Sequence, residues 1–253
     1  MARIALASVR SCGVTTAAAG LAMAWTAKGP TLLVESDPAG GTLAAACCLP
    51  SEPGLVSLAA AARRRADPAL ILDHCQQLAD GTPVLTAPAS PERARSALSM
   101  TVGLLARLGE LDADVFIDCG RLEDAAAPNT RLFAAAEVAL LLSRPTLPDL
   151  SSLAAHLEAR GTSARRPLVA LVGRGPYPPA EVEEGIGVEV AGTLPWDREA
   201  AEAMPATPPG ARHLTRSPLV RALRSLSDEL LKRLPAPAAA TAANEQEDAE
   251  VPA

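Results

Sequence analysis

The stretch Ala7-Ser8-Val9-Arg10-Ser11-Cys12-Gly13-Val14-Thr15-Thr16 follows an apolar run of strand length, Ile4 to Ser8, and opens an alanine-rich helical segment. A strand, a turn of small residues and a helix start, in that order, make a cradle for phosphate. Backbone N–H groups converge on the turn, and the helix N-terminus behind it favours negative charge. Gly13 permits a close backbone approach, and Thr15 or Thr16 offers a hydroxyl where a phosphate-bound magnesium ion would take it. The lysine that such a loop sets on the terminal phosphates is missing, because residue 14 is valine.

Working outward, strand-length apolar runs alternate with helical patterns. The runs lie at Ile4 to Ser8, Thr31 to Glu35, Pro83 to Thr86, Val115 to Asp118, Val138 to Leu142, Leu168 to Val172 and Glu189 to Gly192. This alternation predicts an α/β fold with a mostly parallel central sheet and helices on both faces, a three-layer arrangement. The runs are nearly continuous in Val, Leu and Ile, as strands covered on both faces require. Asp67-Pro68 and Ser90-Pro91 each pair a capping side chain with proline at the first helical position, and so mark helix starts. From Pro91, a helix brings Ala94, Leu98, Val102, Leu105 and Leu108 close to one face, which should cover the sheet.

Residues 218 to 234 form an amphipathic pattern with Leu219, Leu223, Leu226, Leu230 and Leu234 aligned. Packing on the domain is the favoured reading; peripheral membrane contact is less favoured, because Asp228 and Glu229 dilute the basic face that anionic lipid needs. Beyond residue 234 the chain turns to Pro, Ala and acidic residues, which predicts one domain over 1–234 and a disordered tail over 235–253.

The net charge of -6 argues against a surface built to grip nucleic acid, so such binding is expected to be weak or absent. Arg63-Arg64-Arg65 is the best basic patch and is read as a solvated stretch. Five cysteines show neither metal-ligand spacing nor a disulfide framework, which fits a reducing cytoplasm. Residues 12 to 24 mimic a secretory apolar segment, but strand-like runs flank them on both sides.

Two further strand ends carry acids. Leu33-Val-Glu-Ser-Asp-Pro-Ala-Gly-Gly delivers Glu35 and Asp37 into a Pro/Gly loop, where positions i and i+2 of extended chain share a side, so both carboxylates are expected to face one pocket. Asp114-Val-Phe-Ile-Asp-Cys-Gly ends on Asp118, placed to act on a magnesium ion opposite the threonine-bearing loop. In open parallel sheets ligands bind at the C-terminal strand ends, where all three segments end.

Together these segments resemble the deviant-Walker-A ATPases of the MinD/ParA type, over about residues 2 to 233. That family's Lys-Gly-Gly-x-Gly-Lys-Thr-Thr falls on Val9 to Thr16, its Asp-x-Asp-Pro-Gln-Gly on Glu35 to Gly40, and its Walker B on Val115 to Asp118. Ala139-Leu-Leu-Leu-Ser-Arg-Pro-Thr-Leu-Pro-Asp-Leu and Gly192-Thr-Leu-Pro-Trp-Asp also look like family elements. The resemblance implies ATP and Mg2+ as ligands, with Ser11, Cys12, Gly13, Val14, Thr15 and Thr16 around the phosphates and Pro195, Trp196 and Asp197 beside the base. It implies that Thr15 ligates the metal, that Asp118 acts through a metal-bound water, and that Asp37 positions the attacking water; Glu35 is a further candidate for the metal.

The departures weigh on activity. Val14 removes the loop lysine, Val9 removes the signature lysine that reaches across the family's dimer, and Gly173 stands where an asparagine often reads the base. Arg10 has two readings of equal weight, a guanidinium on phosphate with a catalytic role or a surface ion pair. Loss of a charge that stabilises phosphoryl transfer costs about 3 kcal/mol, so hydrolysis is expected to be weak or absent. The leading expectation is a nucleotide-binding pseudo-ATPase that dimerises to position or regulate a larger machine, with the pilus- and secretion-associated TadZ/CpaE type as one subclass. The alternatives are an active ATPase in chromosome or plasmid partitioning, with Arg10 replacing the lysine, and a nucleotide-free interaction scaffold.

Overall fold

The computed structural model describes residues 1–27, 29–160, 167–207, 214 and 216–234. Eight strands form one sheet: β1 (Arg3–Ser8), β2 (Thr31–Glu35), β3 (Gln76–Gln77), β4 (Pro83–Leu85), β5 (Asp114–Arg121), β6 (Val138–Ser143), β7 (Leu168–Val172) and β8 (Val190–Leu194). Their order is β3-β4-β2-β5-β1-β6-β7-β8, and every pairing is parallel except the short β3–β4 edge. The seven predicted runs are all strands. Only β3 is unanticipated; buried Gln76 holds this edge by donating from Nε2 to the Pro50 and Pro53 carbonyls.

The helices are α1 (Val14–Ala24), α2 (Leu43–Ala46), α3 (Leu55–Ala62), α4 (Leu70–Asp73), α5 (Pro91–Leu105), α6 (Pro128–Ala135), α7 (Leu147–Arg160), α8 (Pro179–Ile186), α9 (Arg198–Ala203) and α10 (Pro218–Arg233). Strand alternation splits the core in two. Ala5, Ala7, Val34, Val115 and Ile117 face a layer with α3, α5, α6, α7 and α8, while Ile4, Leu6, Leu33 and Phe116 face one with α1, α2, α9 and α10. Ser90 caps α5 as predicted, accepting from the Arg93 N–H. Asp67 instead accepts from Ala69 N–H and leads into the single turn of α4, which Cys75 and the short β3 follow.

Helix α10 buries Leu219, Leu223, Leu226 and Leu230 against α1 and β8, so its apolar row is spent on the domain. The packing is close enough that a Cβ on Gly20 of α1 would meet Leu223 Cδ1 at 2.5 Å. The segment that mimics a secretory sequence is helix α1, buried along most of its length. Among the described residues no helix is long and apolar enough to cross a membrane. Arg63, Arg64 and Arg65 are exposed after α3, as read from the charge pattern. The expected tail over 235–253 lies outside the described residues.

Candidate functional site

Strand β1 lies between β5 and β6, so the chain leaves it toward β2 on one side while β6 to β8 extend the other. The crevice at such a switch point is open above the strand ends. Gly13 makes the turn there, in the left-handed region at φ 98°, with α1 starting at Val14 and no side chain capping its first N–H groups. A cradle of about 150 Å³ results, lined by Ser8, Ser11, Cys12, Gly13, Val14, Thr15, Asp37, Gly120 and Arg121. Loop, Asp37 and the end of β5 are therefore brought together.

Asp118 lies at the floor, fully buried. Its Oδ1 accepts from the Gly120 N–H at 2.9 Å, whereas Oδ2 has no hydrogen-bond partner of good geometry among the described residues. Burial pushes its carboxyl up to about 7; the Thr15 hydroxyl and Gly120 N–H favour the charged form, and Glu35 and Asp37 oppose it. A buried carboxylate oxygen with only the Thr15 hydroxyl near it, and no bond of good geometry, is costly unless a cation arrives. These residues fit Mg2+, which keeps several waters and takes few protein ligands beside substrate phosphates. Among the described residues no cluster of three or more His, Cys, Asp or Glu forms an all-protein cage.

Asp37 is held by the loop that follows β2. Its Oδ1 accepts from Ala39 N–H at 2.7 Å, and its carboxyl fills the space that a side chain at Gly120 would need. Burial raises its pKa, while the Ala39 N–H and the Arg121 charge lower it and Glu123 raises it. Ser36 ties the loop to the same strand end, donating from both N–H and hydroxyl to the Asp118 carbonyl at 2.8 Å.

Glu35 departs from the expectation of a second pocket-facing carboxylate. Its Oε1 accepts from the Thr42 and Leu43 N–H groups at the start of α2, and Oε2 from the Ala87 N–H, with the residue 1% exposed. It lines no cradle wall. Glu35 therefore serves as a buried staple joining β2, α2 and the loop after β4, away from the cradle. Burial raises its pKa against the pull of those three N–H groups and with the push of Asp37.

Arg10 is turned away as well. Its guanidinium is half exposed, reaches Asp149 at 4.0 Å and does not line the cradle. Val14, the first residue of α1, is 6% exposed and packs into the core, so no cation stands at the loop lysine's position. Burial pushes the Cys12 thiol up to about 12, making it a neutral wall.

Next to the cradle is a second cavity of about 370 Å³, lined by Cys12, Gly13, Thr16, Ala17, Val172, Leu194, Pro195, Trp196, Asp197 and neighbours from α9 and α10. The Pro195 to Asp197 segment thus stands beside the loop. Asp197 is occupied structurally: Oδ1 caps α9 at Ala200 N–H and Oδ2 accepts from the Ser217 hydroxyl. Trp196 is 69% exposed and forms a rim.

Three residues escaped sequence reasoning. Asn129, buried at the start of α6, donates to the Cys119 and Arg121 carbonyls and so fixes the end of β5. Arg121 lines the cradle, and Arg144 donates to the Ser11 carbonyl at 3.2 Å while pairing with Asp149 at 3.1 Å. No local pattern marks them; the one signal for Arg121 and Arg144 was their place at strand ends, and Asn129, at the start of α6, had none.

No protein-family model matches the chain, and neither does any curated protein sequence. In structure the chain is similar to the ParA family ATPase of Chlorobium tepidum, with a TM-score of 0.72 at 16% identity over 90% of this chain and 99% of that one. It is similar to the cell division ATPase MinD of Pyrococcus furiosus, at 0.71 and 20% over 92% and 99%. The septum site-determining protein MinD of Pyrococcus horikoshii, complexed with Mg-ADP, gives 0.69 and 19% over 90% and 96%. With its mostly parallel sheet, its loop at the end of β1 and this likeness along nearly the whole length of its neighbours, the chain has the MinD/ParA-like P-loop ATPase fold.

Proposed function

We propose that the chain binds a nucleoside triphosphate with Mg2+, hydrolyses it slowly or not at all, and uses the bound state to drive dimerisation within a larger positioning or regulatory assembly. The observation that carries this reading is the orphaned, fully buried Oδ2 of Asp118 beside Thr15, a polar group whose cost binding would relieve. The cradle and the adjoining cavity supply room for phosphate and base together. The neighbouring folds include a protein held with Mg-ADP and proteins described as cell-division and ParA family ATPases, which supports the same reading. Weak turnover follows from Val14 and from Arg10 facing Asp149, since neither supplies a charge to the transferring phosphoryl group.

The test is sedimentation velocity of the full chain with and without MgATP, run beside calorimetry and a phosphate-release assay. Expected are MgATP binding, a shift from monomer toward dimer, and release too slow to account for that shift. Binding without any change in association would remove the assembly reading. Brisk release sensitive to Asp37→Ala would replace the pseudo-ATPase reading with an active enzyme, and absence of binding would leave the scaffold.

A further inference from the structure

Three arginines follow or end three neighbouring strands, β1, β5 and β6, and their partners separate them. Arg10 and Arg144 both turn to Asp149, an 8% exposed carboxylate in the first turn of α7 that also accepts from the Thr146 hydroxyl at 2.8 Å. Arg144 is further spent on the Ser11 carbonyl, so it braces the loop from outside. Arg121 alone of the three lines the cradle, as Asp37 does. Its ion-pair partner is Glu123, two residues on, and both side chains are half exposed or more, at 51% and 62%. An exposed pair of this kind is worth about 0–1 kcal/mol, so a phosphate can displace it.

The backbone that carries Arg121 is held firmly. Its Cα is in register with Ser8 of β1, the Leu122 N–H donates to the Ser8 carbonyl at 2.9 Å, and Asn129 Nδ2 donates to its own carbonyl at 3.0 Å. A long side chain, held only by an exposed ion pair, therefore stands on a fixed strand end at the cradle. A second observation points to a ligand in the same space. Ser8 lines the cradle, is 1% exposed, and its hydroxyl, with the Cys12 thiol nearby, has no hydrogen-bond partner of good geometry among the described residues.

We propose that Arg121, assisted by the Ser8 hydroxyl as donor, binds the terminal phosphate of a nucleoside triphosphate and takes over the charge role vacated at Val14. The cation has moved from the start of α1 to the end of β5. This inference rests on the nucleotide-binding reading above. Unlike a loop lysine, Arg121 is in competition with Glu123, so that acid sets how readily the guanidinium is released to the ligand.

Calorimetry on the full chain tests it, with MgATP, MgADP and inorganic tripolyphosphate as probes. Arg121→Ala is expected to weaken MgATP and tripolyphosphate by about tenfold or more, as loss of a charge-assisted contact requires, and MgADP by less. Glu123→Gln is expected to tighten both triphosphate probes. Arg131→Ala, which removes the same charge from the exposed face of α6, is expected to leave all three unchanged. Equal affinity of wild type and Arg121→Ala, or equal weakening by Arg131→Ala, overturns the proposal and leaves the nucleotide reading standing. A wild type that binds none of the probes overturns both. An unchanged melting temperature for Arg121→Ala without ligand shows that lost affinity is not lost folding.

Discussion

Replacing Gly120 by alanine tests how Asp37 is held. Gly120 adopts φ 59°, and a Cβ built there would stand 2.1 Å from Asp37 Cγ and 2.2 Å from its Oδ2. Carbon contacts settle at about 3.5–4 Å, so the carboxyl must move by more than an ångström. The backbone conformation alone costs an alanine about 1–2 kcal/mol. Displacing Asp37 forfeits the Ala39 N–H bond, adding about 1–2 kcal/mol once solvent replaces part of it. Gly120→Ala should therefore cost about 2–4 kcal/mol in the wild-type background but only about 1–2 kcal/mol in Asp37→Ala, where the obstructing carboxyl is gone. Urea denaturation of the four proteins of the cycle reads the difference through the transition midpoints. A coupling near 1–2 kcal/mol supports direct packing of the carboxyl on the strand end; additivity within about 0.5 kcal/mol refutes it. In the same proteins, Gly120→Ala should reproduce whatever effect Asp37→Ala has on turnover, because both remove the carboxyl from its place.

Asp118→Asn should stabilise the ligand-free chain. The folded carboxyl titrates near 7 against an ordinary 3.8, so the native state holds the extra proton, and stability from this group is lost as pH rises between those values. At pH 8 removing the buried charge should return about 1–3 kcal/mol after the cost of an unpartnered amide, and the loss of stability between pH 4 and 7 should shrink; a melting curve unmoved at pH 8 counts against it. Leu223→Ala should cost about 2–5 kcal/mol, since Leu223 is 1% exposed between α10 and α1; a cost under about 1 kcal/mol in urea would mean that α10 is not docked as described. With its apolar row buried, the chain should fail to cosediment with anionic vesicles at physiological salt. On the nucleotide-binding proposal, MgATP and MgGTP should bind within about tenfold of each other, because the cavity beside the loop is mainly apolar and Asp197 is already spent on Ala200 and Ser217; strong preference in competition calorimetry would refute this.

The fold was legible because both of its signals are local. Buried parallel strands read as unbroken apolar runs whatever their order, and the Gly13 turn with its hydroxyls needs only contiguous residues. Strand order was not local, and with it went the functions decided by neighbours across the sheet. Glu35 shows the physical reason. Alternation along an extended chain places it on Asp37's side, but β2 ends at Glu35 and the loop folds back through Gly40 and Gly41, bringing the Thr42 and Leu43 N–H groups onto its carboxylate. The glycines are part of that outcome: a Cβ on Gly41 would meet Glu35 Oε2 at 2.4 Å and the Ala87 carbonyl at 2.3 Å. A Pro/Gly loop after a strand announces a turn, yet the sequence does not say which acid the turn will bury.

The same distinction bears on the missing lysine. A phosphate loop is recognised in sequence by residues that are contiguous, but the charge at its mouth need not come from the loop, because β5 and β6 flank β1 and end at the same height. Arg121 and Arg144 come from those two strand ends, and only their pairings show that one braces the loop while the other faces the cradle. Val14 leaves the start of α1 without a cation. Arg121, at the end of β5, lines the cradle together with Asp37. Such a charge can hold a terminal phosphate in its ground state without following it along the path of transfer, and catalysis depends on interactions that strengthen in the transition state. Retained binding with weakened hydrolysis is therefore the combination this arrangement favours, and Asp37→Ala should alter residual turnover while leaving MgATP affinity nearly untouched.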